Sequence, residues 1–260
     1  MKHTRLVWRY IRHNLMAGMA YRGAFFLQVF GMMLNNLMLL FFWSVLFSQF
    51  PTLNGWALAD VVLLYGMVAF GFGGSVVVFG NAAHLAQIVA NGDLDYYLAL
   101  PADPLLHLLI SRMSMAGWGD LLFGLALFVI VTPGAGFRLP LFLLLGTSAG
   151  LLFTAFRVIV GSFAFWIGQA QNLALQLSTA IITFSIYPID IFPGIVRVLL
   201  YTLIPAAFVG SVPTRLLIAF GWPDLLQLLA ITAGFCLLAR AIFALGLRRY
   251  ESGNLVVARG

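Results

Sequence analysis

The stretch GAFFLQVFGMMLNNLMLLFFWSVLFSQFPTLNGWALA, residues 23–59, contains no Asp, Glu, Lys or Arg. A helix crossing the hydrocarbon core of a bilayer needs about 20 apolar residues, and this run passes that length before its first turn signals, Pro51 and Asn54-Gly55. It is also far longer than the apolar region of a secretory signal and ends in no small-residue cleavage site, so it reads as an uncleaved span. The remaining sequence agrees. Of 260 residues 62% are hydrophobic, mean hydropathy is +1.02, and 22 side chains are charged, 14 basic and 8 acidic. That charged share, 8%, compares with about 25% in soluble domains and is too small to clothe a surface in water. The expected fold class is an all-α polytopic membrane protein, one domain over residues 1–260.

Charge-free runs punctuated by turn residues place six transmembrane spans near 23–48, 61–83, 113–132, 141–163, 170–187 and 225–247. With both termini inside, Lys2, Arg5, Arg9, Arg12, Arg22, Arg112, Arg157, Arg240, Arg248, Arg249 and Arg259 lie at or near the cytoplasmic face, and only Arg138, Arg197 and Arg215 lie outside. This positive-inside bias requires an even number of spans. Residues 1–22 put Val7, Ile11 and Leu15 on one helical face and Arg5, Arg9 and Arg12 on another, which suits a basic amphipathic helix lying on membrane lipids at the interface. Residues 188–223 are apolar but carry five prolines with Arg197 and Arg215. They read as two short helices, 193–204 and 213–220, forming a re-entrant hairpin between the fifth and sixth spans. The alternative is two more full spans, eight in all.

Single residue types exclude several activities. Lys2 is the only lysine, so no phosphate-binding G-x-x-x-x-G-K-[ST] loop is possible and ATP hydrolysis must come from another chain. Glu251 is the only glutamate and lies in the tail, while His3, His13, His84 and His107 have no metal-ligand spacing, so no metal site is expected. Cys236 is the lone cysteine, which leaves no disulfide framework. No catalytic residue, resident cofactor or nucleic-acid partner is expected.

Three groups of residues carry candidate function. In the cytoplasmic segment 84–107, Asn91-Gly92 suits a helix end that needs a left-handed residue, and Asp93 can cap a short helix stopping before Pro101. That helix, with Asp93 and Asp95 at its start and Leu94, Tyr96, Tyr97 and Leu98 as packing groups, suits docking into a groove of a cytosolic partner. Within the spans, Asp120 and Arg157 are each roughly 10 Å deep at 1.5 Å per residue and are expected to pair or to snorkel separately. In the fifth span Asn172, Gln176, Thr179, Thr183 and Tyr187 share one helical stripe. They line either a translocation path or an interhelical contact, for instance with Asn35 or Asn36. Gly66, Gly73 and Gly80 repeat every seven residues and should admit close helix approach.

Gly92-Asp-Leu-Asp-Tyr-Tyr-Leu-Ala-Leu-Pro101 resembles the G-x-L-[DE]-x-x-L-x-x-P signature that follows the second span in ABC-2 type permeases of ATP-binding-cassette exporters. The proline-marked pairs Tyr187-Pro188, Phe192-Pro193 and Ile204-Pro205 are similar to that family's hairpin between the last two spans. The amphipathic first helix, six spans and inside termini also match, with closest likeness to the single-domain branch of about 260 residues. One departure is Gln87-Ile-Val-Ala-Asn91, where many members carry a charged run. The resemblance implies a permease in a bacterial inner membrane that pairs with a second permease, its own copy, and with two cytosolic ABC ATPase subunits that hold ATP and Mg. It implies that Gly92, Asp93, Leu94, Asp95, Tyr97, Leu98 and Pro101 form the ATPase-coupling element and that the second and fifth spans line the central cavity. The expected activity is export of an amphipathic, drug-like or lipid-like substrate by alternating access. An ion-coupled carrier and a membrane-embedded lipid-modifying enzyme are the rival classes; no inverted repeat and no catalytic constellation favours either.

Overall fold

A computed structural model describes residues 2–101, 103–134 and 136–250; Glu251 and Arg259 fall outside the described residues. Every regular element among them is helical, and one isolated bridge between Leu53 and Trp56 closes the turn after the second helix. In chain order the α-helices are α1 (Lys2–Met19), α2 (Arg22–Gln49), α3 (Leu58–Val78), α4 (Leu85–Asn91), α5 (Leu94–Leu98), α6 (Pro104–Ile110) and α7 (Gly117–Val131). They continue as α8 (Leu139–Ser162), α9 (Ala164–Ile167), α10 (Gln171–Ser185), α11 (Gly194–Thr202), α12 (Ala206–Val209), α13 (Ser211–Ile218) and α14 (Trp222–Leu247).

Helix α3 is the centre of the molecule, with most of its side chains buried, from Val61 to Val77. In lipid, helices are not driven together by apolar burial, so small residues that let backbones touch decide the contacts. Two glycine seams on α3 do this. Gly66 and Gly73 meet Gly124 and Gly117 of the antiparallel α7, and Gly71 meets Gly146 and Gly150 of α8. The third glycine of the seven-residue repeat, Gly80, lies against the backbone of Arg112 to Ser114. Helix α8 also packs on α14, where the Ser148 and Thr232 hydroxyls hydrogen-bond at 2.7 Å, and on α10. Helix α2 is peripheral, touching α7 and α3 while exposing Phe26, Phe30, Met38 and Phe41.

The expected spans are recovered unevenly. Four helical stretches are long and apolar enough to cross a membrane: Arg22–Gln49, Leu58–Val78, Gly136–Ile167 and Trp222–Leu247. The expected third span is shorter, because the chain from Arg112 to Met115 is non-helical and the Ser114 N–H donates to the Val76 carbonyl instead. Helix α7 therefore has 15 residues, about 22 Å at 1.5 Å per residue. The expected fifth span, 170–187, is a helix of 15 residues, Gln171–Ser185, capped at Ile186 shortly before Pro188; Gly168, at φ 74°, separates it from α9. In 188–223 three short helices replace the two expected, and α11 is bent by 63° from the α12–α13 stretch, so the pair passes as a span only if counted together. Pro193 and Pro205 immediately precede α11 and α12, whereas Pro213 lies in the first turn of α13.

Candidate functional site

The segment 84–107 folds as a compact hairpin at the end of α3. Helix α4 stops at Gly92, whose φ of 80° is left-handed. The Gly92 and Asp93 amides both turn back to α4, Asp93 N–H reaching the Ile88 carbonyl at 3.0 Å, a Schellman closure. Asp93 does not cap α5 as expected: its backbone is already helical, and its side chain makes no cap bond. The capping aspartate is Asp103, which accepts from the Leu106 N–H at 2.9 Å at the start of α6 and forms an ion pair with Arg240 of α14, also at 2.9 Å.

Two of the expected docking groups face the wrong way. Leu94 is fully buried, and Tyr97 turns inward, where its hydroxyl hydrogen-bonds Ser111 at 3.2 Å and accepts from the Asn81 side-chain amide at 3.3 Å. In a five-residue helix tied on both sides to the bundle, Leu94 and Tyr97, three apart, share the inner face. Tyr96, at 65% exposure, and Leu98, with Asp93 beside them, make up the outer edge. Asp95 is half-buried and Pro101 lies in the turn beyond α5.

Three contacts absent from any local pattern hold this hairpin from behind. Tyr250 donates its hydroxyl to the Gly92 carbonyl at 2.8 Å and sits edge-on to Phe165. Burial and the nearby Asp95 carboxylate push the Tyr250 phenol up to about 12. From α1, Tyr10 hydrogen-bonds the His107 ring, and Asn14 reaches the Ile110 carbonyl at 3.4 Å. Burial lowers the His107 pKa; burial, then the Arg112 and Arg157 charges, lowers that of His84.

The stripe on α10 faces outward. Its buried face is Ala174, Ser178, Ile181 and Ser185, while Asn172, Gln176, Thr179 and Thr183 are exposed. Thr179 and Thr183 return their hydroxyl hydrogens to the carbonyls of Leu175 and Thr179. Tyr187 lies past the helix end and packs edge-on against Trp43. No hydrogen bond joins the stripe to Asn35 or Asn36 among the described residues. At its lower end Asn172 borders a small cavity of about 250 Å³ shared with Gln87, Asn91, Gln169 and Gln171.

Asp120 and Arg157 are not paired. Helix α3 passes between them: Gly73 lies against Asp120 on one side, and on the other the Ser75 hydroxyl bonds Thr154 of α8 at 2.6 Å. Asp120 sits in the first turn of α7 and accepts from the Asn36 side chain at 2.8 Å; Asn36 in turn accepts from the Tyr65 hydroxyl at 2.7 Å. Arg157 lies over the ring of Phe153, one turn earlier, at 4.9 Å, and its Nε finds no hydrogen-bond partner among the described residues. The positive end of α7 and the Asn36 amide thus take the place of the expected guanidinium.

At the opposite end of the bundle Asp190 joins three segments. Its carboxylate pairs with Arg197 of α11 at 2.6 Å and with Arg215 of α13, and accepts from Trp56 Nε1 at 2.8 Å; its carbonyl accepts from Asn54. Burial would raise the Asp190 pKa, but the bonds from Trp56 and Arg215 and the two guanidinium charges hold it below the ordinary carboxylate value.

Residues 33–253 match the family profile described as ABC-2 family transporter protein. The chain belongs to the ABC-2 transporter family. No curated protein and no solved structure matches it. The ABC-2 match runs from the middle of α2 through Tyr250 and so takes in the hairpin, the α10 stripe and the Asp190 junction. Proteins of this family are multi-pass membrane components of transport systems, not themselves catalytic, and generally work with an ATPase partner.

Proposed function

We propose that this chain is the permease subunit of an ATP-driven exporter. It acts as a homodimer in a bacterial inner membrane, with both termini cytoplasmic and two ATPase subunits, holding ATP and Mg, docked on the 84–107 hairpin. Six crossings are α2, α3, α7, α8, α10 and α14, with 188–223 as a re-entrant hairpin on the outer side; the positive-inside distribution of basic residues supports this arrangement. The substrate is amphipathic, drug-like or lipid-like.

The observation that carries the reading is the form of the hairpin within an ABC-2 chain. Its outer edge, Tyr96 and Leu98, is free, while its inner face is bonded to α1, α6 and the end of α14. An element free on one side and fixed on the other transfers a push from a partner to the helices behind it. Helix α3 runs directly into this hairpin, and through its glycine seams it carries α7 and α8. The exposed Asn172 and Gln176 on α10 support a shared path, because side-chain amides at membrane depth require a polar partner or water. A second copy facing this stripe encloses such a path.

The test is co-purification with an ATPase encoded beside this chain, followed by transport and ATPase assays of Tyr96→Ala combined with Leu98→Ala. Transport is expected to fall while the variant elutes as the wild type does. Unchanged transport by the double variant, with the ATPase bound as before, refutes the docking assignment.

A further inference from the structure

A cavity of about 470 Å³ opens between α2, α3 and α10, with the first turn of α7 at its floor. Its wall is apolar, including Met32, Phe42, Phe72 and Ile182; its polar groups cluster around Asp120. Asp120, Asn36 and Tyr65 are 3%, 4% and 5% exposed and form the chain Tyr65 to Asn36 to Asp120 described above. Exposed Met38 and Phe42 flank the mouth, so a molecule dissolved in the bilayer has access from the side.

The electrostatics of this floor are unbalanced. The three ion pairs among the described residues use Asp190 and Asp103, and none uses Asp120. A carboxylate at membrane depth is costly unless compensated, and one amide donor together with about half a charge from a helix N-terminus offsets only part of it. A cation would complete the compensation, and the wall above is apolar, including Met32 and Met38, side chains that adapt to varied shapes.

We infer that this cavity binds a cationic amphiphile, an apolar or aromatic body carrying one positive charge, with Asp120 as the charge-selecting residue and Asn36 and Tyr65 as the groups that position its carboxylate. This deepens the export reading by naming the charge class of the substrate, and it rests on that reading only for the direction of movement. The Asp120 side chain receives the positive end, while Phe42, Phe72 and Ile182 cover the body.

The experiment uses the full chain in lipid nanodiscs without ATPase, with tetraphenylphosphonium as the probe and triphenylphosphine oxide as a neutral compound of similar shape. Equilibrium dialysis against empty nanodiscs is expected to give saturable tetraphenylphosphonium binding that the oxide does not compete. Asp120→Asn, which keeps the shape and an acceptor for Asn36, is expected to weaken binding at least tenfold. Absence of saturable binding, equal competition by the oxide, or unchanged affinity in Asp120→Asn overturns the inference. If Asp120→Asn fails to fold, the competition on the wild-type chain decides alone. Neither ATP nor transport enters the measurement, so its failure leaves the export reading standing, and failure of the coupling experiment leaves this one intact.

Discussion

Replacing Gly73 by alanine should force α3 away from α7. A Cβ at Gly73 would lie 2.5 Å from the Leu121 amide nitrogen, 2.7 Å from the Gly117 carbonyl oxygen and 3.0 Å from the Asp120 Cβ, whereas ordinary contact begins near 3.4 Å. The shortfall is about 0.9 Å and falls mainly on backbone atoms, which cannot rotate aside as a side chain does. Overpacking of this kind costs about 1–3 kcal/mol. Alanine also gains up to about 1 kcal/mol over glycine in helix propensity, which would blur a comparison with the wild type alone. Gly74, next along the same helix, removes that ambiguity, because a Cβ there meets nothing within 4 Å. Both variants share the propensity gain, so their difference isolates the seam. Thermal unfolding followed by tryptophan fluorescence in one detergent should place Gly73→Ala below Gly74→Ala by that 1–3 kcal/mol, at roughly 2–4 °C per kcal/mol for a chain of this size. Equal melting temperatures would refute the claim that backbone contact at the α3–α7 seam holds the bundle.

Asp190→Asn should destabilise the chain at pH 7 by roughly 1 kcal/mol, a figure kept small because both arginines are nearly half exposed. The Asp190 pKa is held down, so its stabilisation is fully present above the ordinary carboxylate value of about 3.9 and disappears as pH falls through the lower folded value; the gap between variant and wild type should close in acid melts. Asp103→Ala should lose both the α6 cap, worth about 1 kcal/mol, and the Arg240 pair, whereas Asp103→Asn keeps a capping side chain and should lose less; hydrogen exchange over 103–110 distinguishes them. Tyr250→Phe removes the donor to the Gly92 carbonyl, a bond worth about 0.5–1.5 kcal/mol, and should speed exchange of the 92–98 amides without changing the bundle's melting temperature by more than a few degrees.

The apolar runs located the long helices to within about five residues at each end, since length and hydropathy are local properties: the expected 23–48, 61–83, 141–163 and 225–247 are observed as Arg22–Gln49, Leu58–Val78, Leu139–Ser162 and Trp222–Leu247. Gly92 was legible for the same reason, because a left-handed helix end is set by its own residue. The seven-residue glycine repeat announced one seam on α3, and Gly66 and Gly73 occupy it. The second seam was hidden. Gly71 is a single glycine without a period, and its meaning comes from Gly150, which lies far along the chain. The shortened α7 was hidden too, because what delays its start is a backbone bond from Ser114 to Val76, which leaves no mark on hydropathy; α10 differs from the expected 170–187 by only one residue at its start and two at its end. The orientation of α5 followed the same division: its limits were readable from Gly92 and Pro101, but its inner face depended on Asn81 and Ser111 receiving Tyr97.

The acidic residues sharpen the point. A chain with eight acids in 260 residues has few charges to spare, and their types and positions were plain in the sequence, yet the partners of the three most consequential were not. Asp103 answers Arg240, Asp120 answers Asn36, and Asp190 answers Trp56, Arg197 and Arg215. Each joins elements that hydropathy treats as separate: Asp103 ties the 84–107 hairpin to α14, Asp120 ties α7 to α2, and Asp190 ties the α2–α3 turn to 188–223. Asp103 and Asp190 have guanidinium partners and sit at opposite ends of the bundle, where water can reach the charges. Of the three, Asp120 alone is buried, at 3% exposure, and its hydrogen-bond partner is the neutral Asn36. If all three served only to fasten helices, the buried one would be the least suited to carry a charge, since an asparagine could accept the same bond from Asn36 without the desolvation cost. A carboxylate at this position therefore separates Asp120 from the two fasteners, and the cavity above it gives that difference a use.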